Sequence, residues 1–128
     1  MGYRSQVYLG VSQPLNKQML KNPAIVKLLG YSDSIQKTDT VILYHWEWLK
    51  WYANCEGFED ITALEALFDE WDDENSDQYR FFRSGENFDD IDERGESEDF
   101  HFAASVHIHV DVYGCPDEVT FKELMGEK

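Results

Sequence analysis

The sequence predicts a single α+β domain, in which a mainly antiparallel four-stranded sheet carries two helices on one face in a loosely ferredoxin-like arrangement. Alternating or β-branched stretches indicate strands, and apolar residues spaced three and four apart indicate helices. These patterns follow one another as strand, helix, strand, helix, strand, strand. The 128 residues match the size of one domain, 1–128, which contains an acidic helix and ribbon region over 56–99.

The first half of the chain predicts two strands around one helical segment. In residues 3–11 the apolar side chains fall on one parity, which is typical of a half-buried strand. Proline and the capping residue Asn22 are helix-entry signals, so one short, broken helix is expected over 14–29, closed by Gly30. Residues 41–52, VILYHWEWLKWY, are rich in β-branched and aromatic types and predict a long central strand covered on both faces.

The clearest helix is expected to begin near Asp60 or Thr62, because Thr62 and Glu65 have the spacing of a capping box. Its opposite face is acidic, and several carboxylates lie near its carboxyl end. Anions are unfavourable there by about 0.3–1 kcal/mol each, since the helix dipole is negative at that end. The apolar stripe of this helix comprises Ile61, Leu64, Leu67, Phe68 and Trp71.

The second half predicts two further strands separated by a ribbon. Residues 79–84, YRFFRS, indicate a third strand. An acidic stretch over 87–99 is expected to form a loop or irregular ribbon that is pinned by Phe88 and Ile91. Residues 102–113 alternate strictly and predict one fourth strand with one buried face. A short final segment is expected to pack through Val119, Phe121 and Leu124.

The charge of the chain is concentrated in one segment. The formal net charge is -15, and residues 56–99 hold 18 acidic against 3 basic residues. Such a segment repels nucleic acid and anionic lipid and attracts basic surfaces over about 8–10 Å at physiological salt. Direct nucleic-acid binding and membrane binding are therefore disfavoured. The candidate partner-binding residues are Asp69, Glu70, Asp72, Asp73, Glu74, Asp89, Asp90, Asp92 and Glu93.

Several other classes of protein lack support in the sequence. No apolar run approaches a membrane span, and the first residues lack the apolar stretch of a secretory signal, so a cytoplasmic protein is expected. Cys55 and Cys115 lie far apart, which favours reduced structural thiols. No nucleophile, phosphate-binding or zinc-protease motif is present, so neither catalysis nor a cofactor is expected.

Two metal sites are alternatives. His107, His109 and Asp111 share one face of the predicted fourth strand, where alternate residues lie about 6.5 Å apart and two imidazoles can converge on a metal. His45 and Glu47 join this site if their strand is a neighbour and the correct faces are aligned. Outward-facing polar residues on a half-buried strand are the simpler interpretation.

The run around Asp89 resembles a calcium loop in composition only, because it lacks the glycine and glutamate spacing of that motif.

Three short patches carry a resemblance to a known family. The opening MGYRS, the strand end WLKWY and the segment YRFFRSGE before the acidic run resemble small uncharacterised proteins of bacteriophages and prophages. The resemblance implies a viral or mobile-element origin, in which small acidic proteins often block host nucleic-acid-handling or defence proteins. It assigns no catalytic role to any residue.

The sequence thus predicts a non-enzymatic protein that occupies a basic site on a host protein through its anionic surface, with DNA mimicry of the anti-restriction or anti-CRISPR kind as the strong form. A metal- or small-ligand-binding domain centred on the histidines is the second hypothesis. Self-association, as a homodimer for example, is the third, because residues 44–52 are strongly aromatic.

Overall fold

The computed structural model describes residues 5–51, 58–85, 91–104, 108–112 and 116–125, with the backbone alone for 48, 101–104 and 108–112. The chain is an α+β protein with eight strands and three helices of seven or more residues in these ranges. The strands are β1 (Ser5–Ser12), β2 (Ser34–Lys37), β3 (Val41–Leu49), β4 (Tyr79–Ser84), β5 (Ile91–Gly95), β6 (Phe100–Ala104), β7 (Ile108–Val112) and β8 (Asp117–Val119). The helices are α1 (Gln13–Met19), α2 (Pro23–Gly30), α3 (Glu59–Glu74) and the single turn α4 (Phe121–Leu124), and a 3₁₀ turn spans Ser76–Gln78.

Six strands form one antiparallel sheet in the order β5-β4-β1-β3-β2-β8, and β6 and β7 form a separate pair. The predicted sheet of four strands was therefore too small. Strands β2, β5 and β8 were missed because they are short and polar and lack an alternating run of apolar residues. The inner strands β4-β1-β3-β2, with helices after β1 and β3, have the β-α-β-β-α-β connectivity of ferredoxin-like motifs.

The main core lies between one face of this sheet and the helices. Alternate residues of a strand point to one face, so the pairs Val7–Trp46 and Leu9–Tyr44 place four apolar side chains towards the helices. Helices α1, α2 and α3 cover that face, one helix more than the two expected. All of the following are buried there: Leu15, Met19, Ile25, Leu28, Leu29, Ile61, Leu64, Phe68, Trp71, Tyr79 and Phe81.

The opposite face of the sheet has a smaller core around Phe100. The ring of Phe100 lies directly over Gly10 of β1, where a Cβ would come within 2.5 Å of three ring atoms. Val41, Leu43 and Phe82 complete this cluster, and Tyr8 packs against it. The absence of a side chain at Gly10 therefore makes room for the start of β6 on the sheet.

The helical predictions were partly correct. The expected break is real, because α1 ends at Met19 and α2 starts at Pro23, where the Asn22 carboxamide oxygen accepts from the amides of Ala24 and Ile25. The capping box at Thr62 was wrong. Helix α3 starts at Glu59, one residue before the expected Asp60, and the Thr62 hydroxyl donates to the carbonyl of Phe58, as inside a helix.

Two predictions for the last third were also wrong. Part of the expected ribbon is the regular strand β5, and Ile91 is 37% exposed and does not act as a buried anchor. Phe88 lies outside the described residues. The expected single strand over 102–113 is the antiparallel pair β6 and β7, in which Ala104 faces Ile108.

Candidate functional site

Helix α3 turns its acidic side away from the core. Its apolar stripe is buried against the sheet, and Asp69, Glu70, Asp73 and Glu74 are consequently exposed. The last turn contains no basic residue, so nothing on the helix itself offsets the negative end of the dipole.

Arg94 of β5 joins this helix to the sheet edge. Its Nη2 lies 2.6 Å from a carboxylate oxygen of Asp69 and 2.7 Å from one of Asp72. The guanidinium also lies over the ring of Phe68, with its central carbon 5.3 Å from the ring centroid. The fold thus places the acidic side of α3 beside the acidic strand β5, and Arg94 neutralises part of the charge of both.

Asp72 has a second partner in the sheet. The Tyr79 hydroxyl donates to one of its oxygens at 2.5 Å, while Arg94 donates to the other. Burial raises the pKa of Tyr79, and the bond to Asp72 raises it further. Partial burial opposes ionisation of Asp72, but the hydrogen bonds from Tyr79 and Arg94 outweigh it and lower the pKa of that carboxyl. Asp72 therefore remains an ionised link between α3, β4 and β5.

Strand β5 carries two further predicted acids, and both form ion pairs with arginines of β4. Arg83 donates from Nε and Nη2 to Asp92 at 2.8 and 2.6 Å and from Nη1 to the buried Ser5 hydroxyl at 2.8 Å. The Glu93 carboxylate lies 3.9 Å from Arg80. Two hydrogen bonds from Arg83 therefore hold the Asp92 carboxylate, whereas Glu93 makes only a long ion pair with Arg80.

The structure divides the nine predicted binding residues into three groups. Asp69, Asp72, Asp92 and Glu93 form ion pairs inside the chain. Asp89 and Asp90 lie outside the described residues. No ion pair among the described residues involves the remaining three, Glu70, Asp73 and Glu74.

Sequence reasoning did not single out four further exposed acids, which belong to the 3₁₀ turn after α3 and to the segment after β5. The 3₁₀ turn after α3 meets the segment after β5, because Ser76 Oγ donates to Glu96 at 2.7 Å and the Glu96 amide donates to the Ser76 carbonyl at 2.6 Å. The sequence pointed to these four acids only through their position in the acidic segment 56–99. We call the resulting surface the acidic rim, and it comprises Asp73, Glu74, Asp77, Glu96, Glu98 and Asp99, all exposed.

The histidine residues are distributed differently from the prediction. His45 is in β3, which pairs with β1 and β2, whereas His109 and Asp111 are in β7, which pairs with β6. Strands β3 and β7 are thus not hydrogen-bonded neighbours, the condition under which His45 would join the metal site. His107 lies outside the described residues. Within the ranges that the structure describes, no three His, Cys, Asp or Glu side chains are arranged to hold a metal ion.

His45 instead stacks on Tyr8. The ring centroids lie 4.1 Å apart with an interplanar angle of 4°, and Nε2 is buried with no hydrogen-bond partner among the described residues. Burial lowers the pKa of His45 and outweighs Glu47 and Asp33, whose charges would raise it. The neutral imidazole is therefore the form that the fold favours.

Replacing His45 with phenylalanine is expected to reduce the loss of stability in mild acid. The unfolded chain takes up a proton near pH 6.5, before the folded chain does, so the stability of the native protein is full above that pH and is lost as the pH falls through the folded pKa. Phenylalanine keeps the stacking without titrating. Urea denaturation at about pH 7.5 and pH 5 gives the free energy of unfolding of both proteins. On going to the lower pH, the variant should become more stable relative to the native chain. An equal difference in free energy of unfolding at both pH values would contradict this.

None of the described helices is both long and apolar enough to cross a bilayer. Comparison with known proteins gives no match to this chain, whether among protein-family models, curated proteins or solved structures.

Proposed function

We propose that this chain is a non-enzymatic binding protein that inhibits a host nucleic-acid-handling or defence protein by occupying its basic surface. The observation that carries the proposal is the acidic rim, where three separate segments contribute six exposed carboxylates and no ion pair among the described residues involves any of them. The rim and Glu70 are the contact residues. Asp69, Asp72 and Asp92 position this surface through Arg94 and Arg83.

The location of the rim supports a role beyond solubility. Its first two residues end α3, where carboxylates lower helix stability by about 0.3–1 kcal/mol each. Dispersed surface charge would keep the protein soluble without that cost. A dense anionic surface, in contrast, steers a basic partner and raises the association rate, and salt weakens this effect.

The nature of the partner follows from charge and resemblance. An anionic surface repels nucleic acid, so the partner is a protein with a basic groove. The resemblance of three short patches to small bacteriophage and prophage proteins supports a bacterial host protein in the cytoplasm. In the strong form of the proposal, the carboxylates stand in for the phosphates that such a groove normally binds.

The test compares two variants with the same change in net charge. The rim variant carries Asp73→Asn, Glu74→Gln and Asp77→Asn, and the matched control carries Asp39→Asn, Asp117→Asn and Glu118→Gln. The control sites are exposed, and Asp117 and Glu118 lie in β8, at the opposite edge of the sheet from β5. Native, rim and control proteins are used to capture partners from bacterial lysate, and Kd is measured for each recovered protein.

The rim variant is expected to bind its partner about 10- to 100-fold more weakly, while the control changes Kd by less than about threefold. Raising salt from about 50 to 300 mM should weaken the native complex more than the rim-variant complex, because screening removes the same attraction. Recovery of the same partner with equal Kd by native and rim variants would overturn the proposal.

A further inference from the structure

A groove of about 430 Å³ runs between α3 and the junction of α1 with α2. One wall is formed by Ala63, Ala66 and Leu67 of α3, and the other includes Pro23 and the buried side chain of Ile25. A volume near the lower end of the usual range for ligand sites, about 300–1,000 Å³, accommodates one or two large apolar side chains.

The carboxamide oxygens along the groove are already used by the fold. The Gln18 carboxamide oxygen accepts from the Trp71 indole at 2.8 Å, and the Asn22 oxygen accepts the amides that start α2. Hydrophobic atoms therefore dominate the open part of the site. The charged side chains that line the groove are Lys21 at one edge and Glu70 at the other.

The α3 wall is acidic at both ends of its apolar part. Residues three or four apart share a helix face, so Glu59, Ala63, Leu67, Glu70 and Glu74 lie in one row. Glu59, Glu70 and Glu74 are exposed, and Glu74 also belongs to the acidic rim. The groove is therefore an apolar depression that continues directly into the anionic surface.

We infer that this groove takes an apolar side chain from a basic peptide segment of the partner, with lysine or arginine residues against α3. The charge of the α3 wall selects basic flanks, and Lys21 on the facing side of the groove repels them, so the basic side chains lie towards α3. The inference rests on the proposed function for the basic character of the partner. The apolar side chain in the groove contributes a part of the binding free energy that does not depend on salt.

Two synthetic peptides distinguish the contribution of the apolar side chain to binding from the contribution of charge. One is a decamer of lysine, and the other is the same decamer with its two central lysines replaced by leucine. Binding of each labelled peptide is measured by fluorescence anisotropy with the native chain, with Ala66→Gln, which extends a neutral side chain along the groove wall, and with the smaller control Ala66→Ser. Glutamine is well tolerated in helices, and Ala66 is exposed, so both variants should fold.

The leucine peptide is expected to bind the native chain about tenfold more tightly than the lysine peptide, although it carries less charge. This advantage should fall below about twofold in Ala66→Gln and persist in Ala66→Ser. Amide NMR shifts caused by the leucine peptide should centre on Ala63, Ala66 and Leu67. No advantage in the native chain, or an advantage that survives Ala66→Gln without shifts at these residues, would overturn the inference.

The lysine peptide tests the proposed function separately. Its salt-dependent binding should weaken in the rim variant and stay unchanged in Ala66→Gln. Lysine binding without a leucine advantage would overturn the groove alone. A leucine advantage with no effect of the rim variant on either peptide would support the groove and count against the acidic rim.

Discussion

Replacing Phe100 with alanine is expected to lower the free energy of unfolding by about 3–5 kcal/mol, the usual cost of removing a buried aromatic side chain. The side chain is 1% exposed and lies at the centre of the smaller core, against Val41, Leu43 and Phe82. Urea denaturation followed by tryptophan fluorescence measures the loss. Phe100→Leu, which keeps most of the apolar volume, should lose clearly less.

The contact between Phe100 and Gly10 makes this prediction specific. Gly10→Ala in the native chain places a methyl group within 2.5 Å of the ring and should cost about 1–3 kcal/mol. In the Phe100→Ala background the same methyl enters the space that the ring leaves, so its cost should vanish. A coupling energy of about 0.5–3 kcal/mol in this double-mutant cycle is expected. Strict additivity would show that the ring does not lie on Gly10 in solution.

Replacing Gly95 with alanine is expected to destabilise the chain by about 2–4 kcal/mol, the second largest effect. Gly95 has a φ of 85°, which side-chain-bearing residues rarely adopt. An added Cβ would lie 2.1 Å from the Tyr79 carbonyl oxygen, so the backbone itself must move. That oxygen also accepts from the Ser97 amide, and the movement would break this hydrogen bond.

Gly30→Ala is the matched control for Gly95→Ala. Gly30 is the last residue of α2, and an added Cβ would meet only Phe121 at 3.7 Å, an ordinary contact. Alanine there should be neutral or should stabilise the chain by up to about 1 kcal/mol, because it restricts the unfolded state. Equal losses in the two variants would contradict the conformation assigned to Gly95. Since Gly95 directly precedes Glu96, its replacement should also weaken binding through the acidic rim.

The elements with strong periodicity could be predicted from the sequence. The stripe of α3 and the alternation of β1 and β4 depend on side chains a few residues apart, and each segment has one apolar face to bury wherever it packs. Strand β5, with only Ile91 as a large apolar residue, has no such pattern. Its structure comes from backbone pairing with β4 and from the ion pairs of Arg94.

The antiparallel pair of β6 and β7 could not be distinguished in the sequence from one long strand. In its register Phe100 faces Val112 and Ala104 faces Ile108, so even-numbered residues pair with even-numbered residues. The alternation consequently has the same phase in β6 and in β7. The sequence pattern is identical for both structures, and only the pairing decides between them.

By itself, the sequence determined the α+β class, the apolar faces of the main elements and the amount of acidic charge in residues 56–99. These properties are set by composition and by local periodicity. The tertiary structure decided which acids are paired, because Arg94 meets Asp69 across 25 residues of chain and Tyr79 of β4 donates to Asp72 of α3. It also joined Asp77 and Glu96 into one rim beside the groove, since electrostatic contact depends on distance in space and not on separation along the chain.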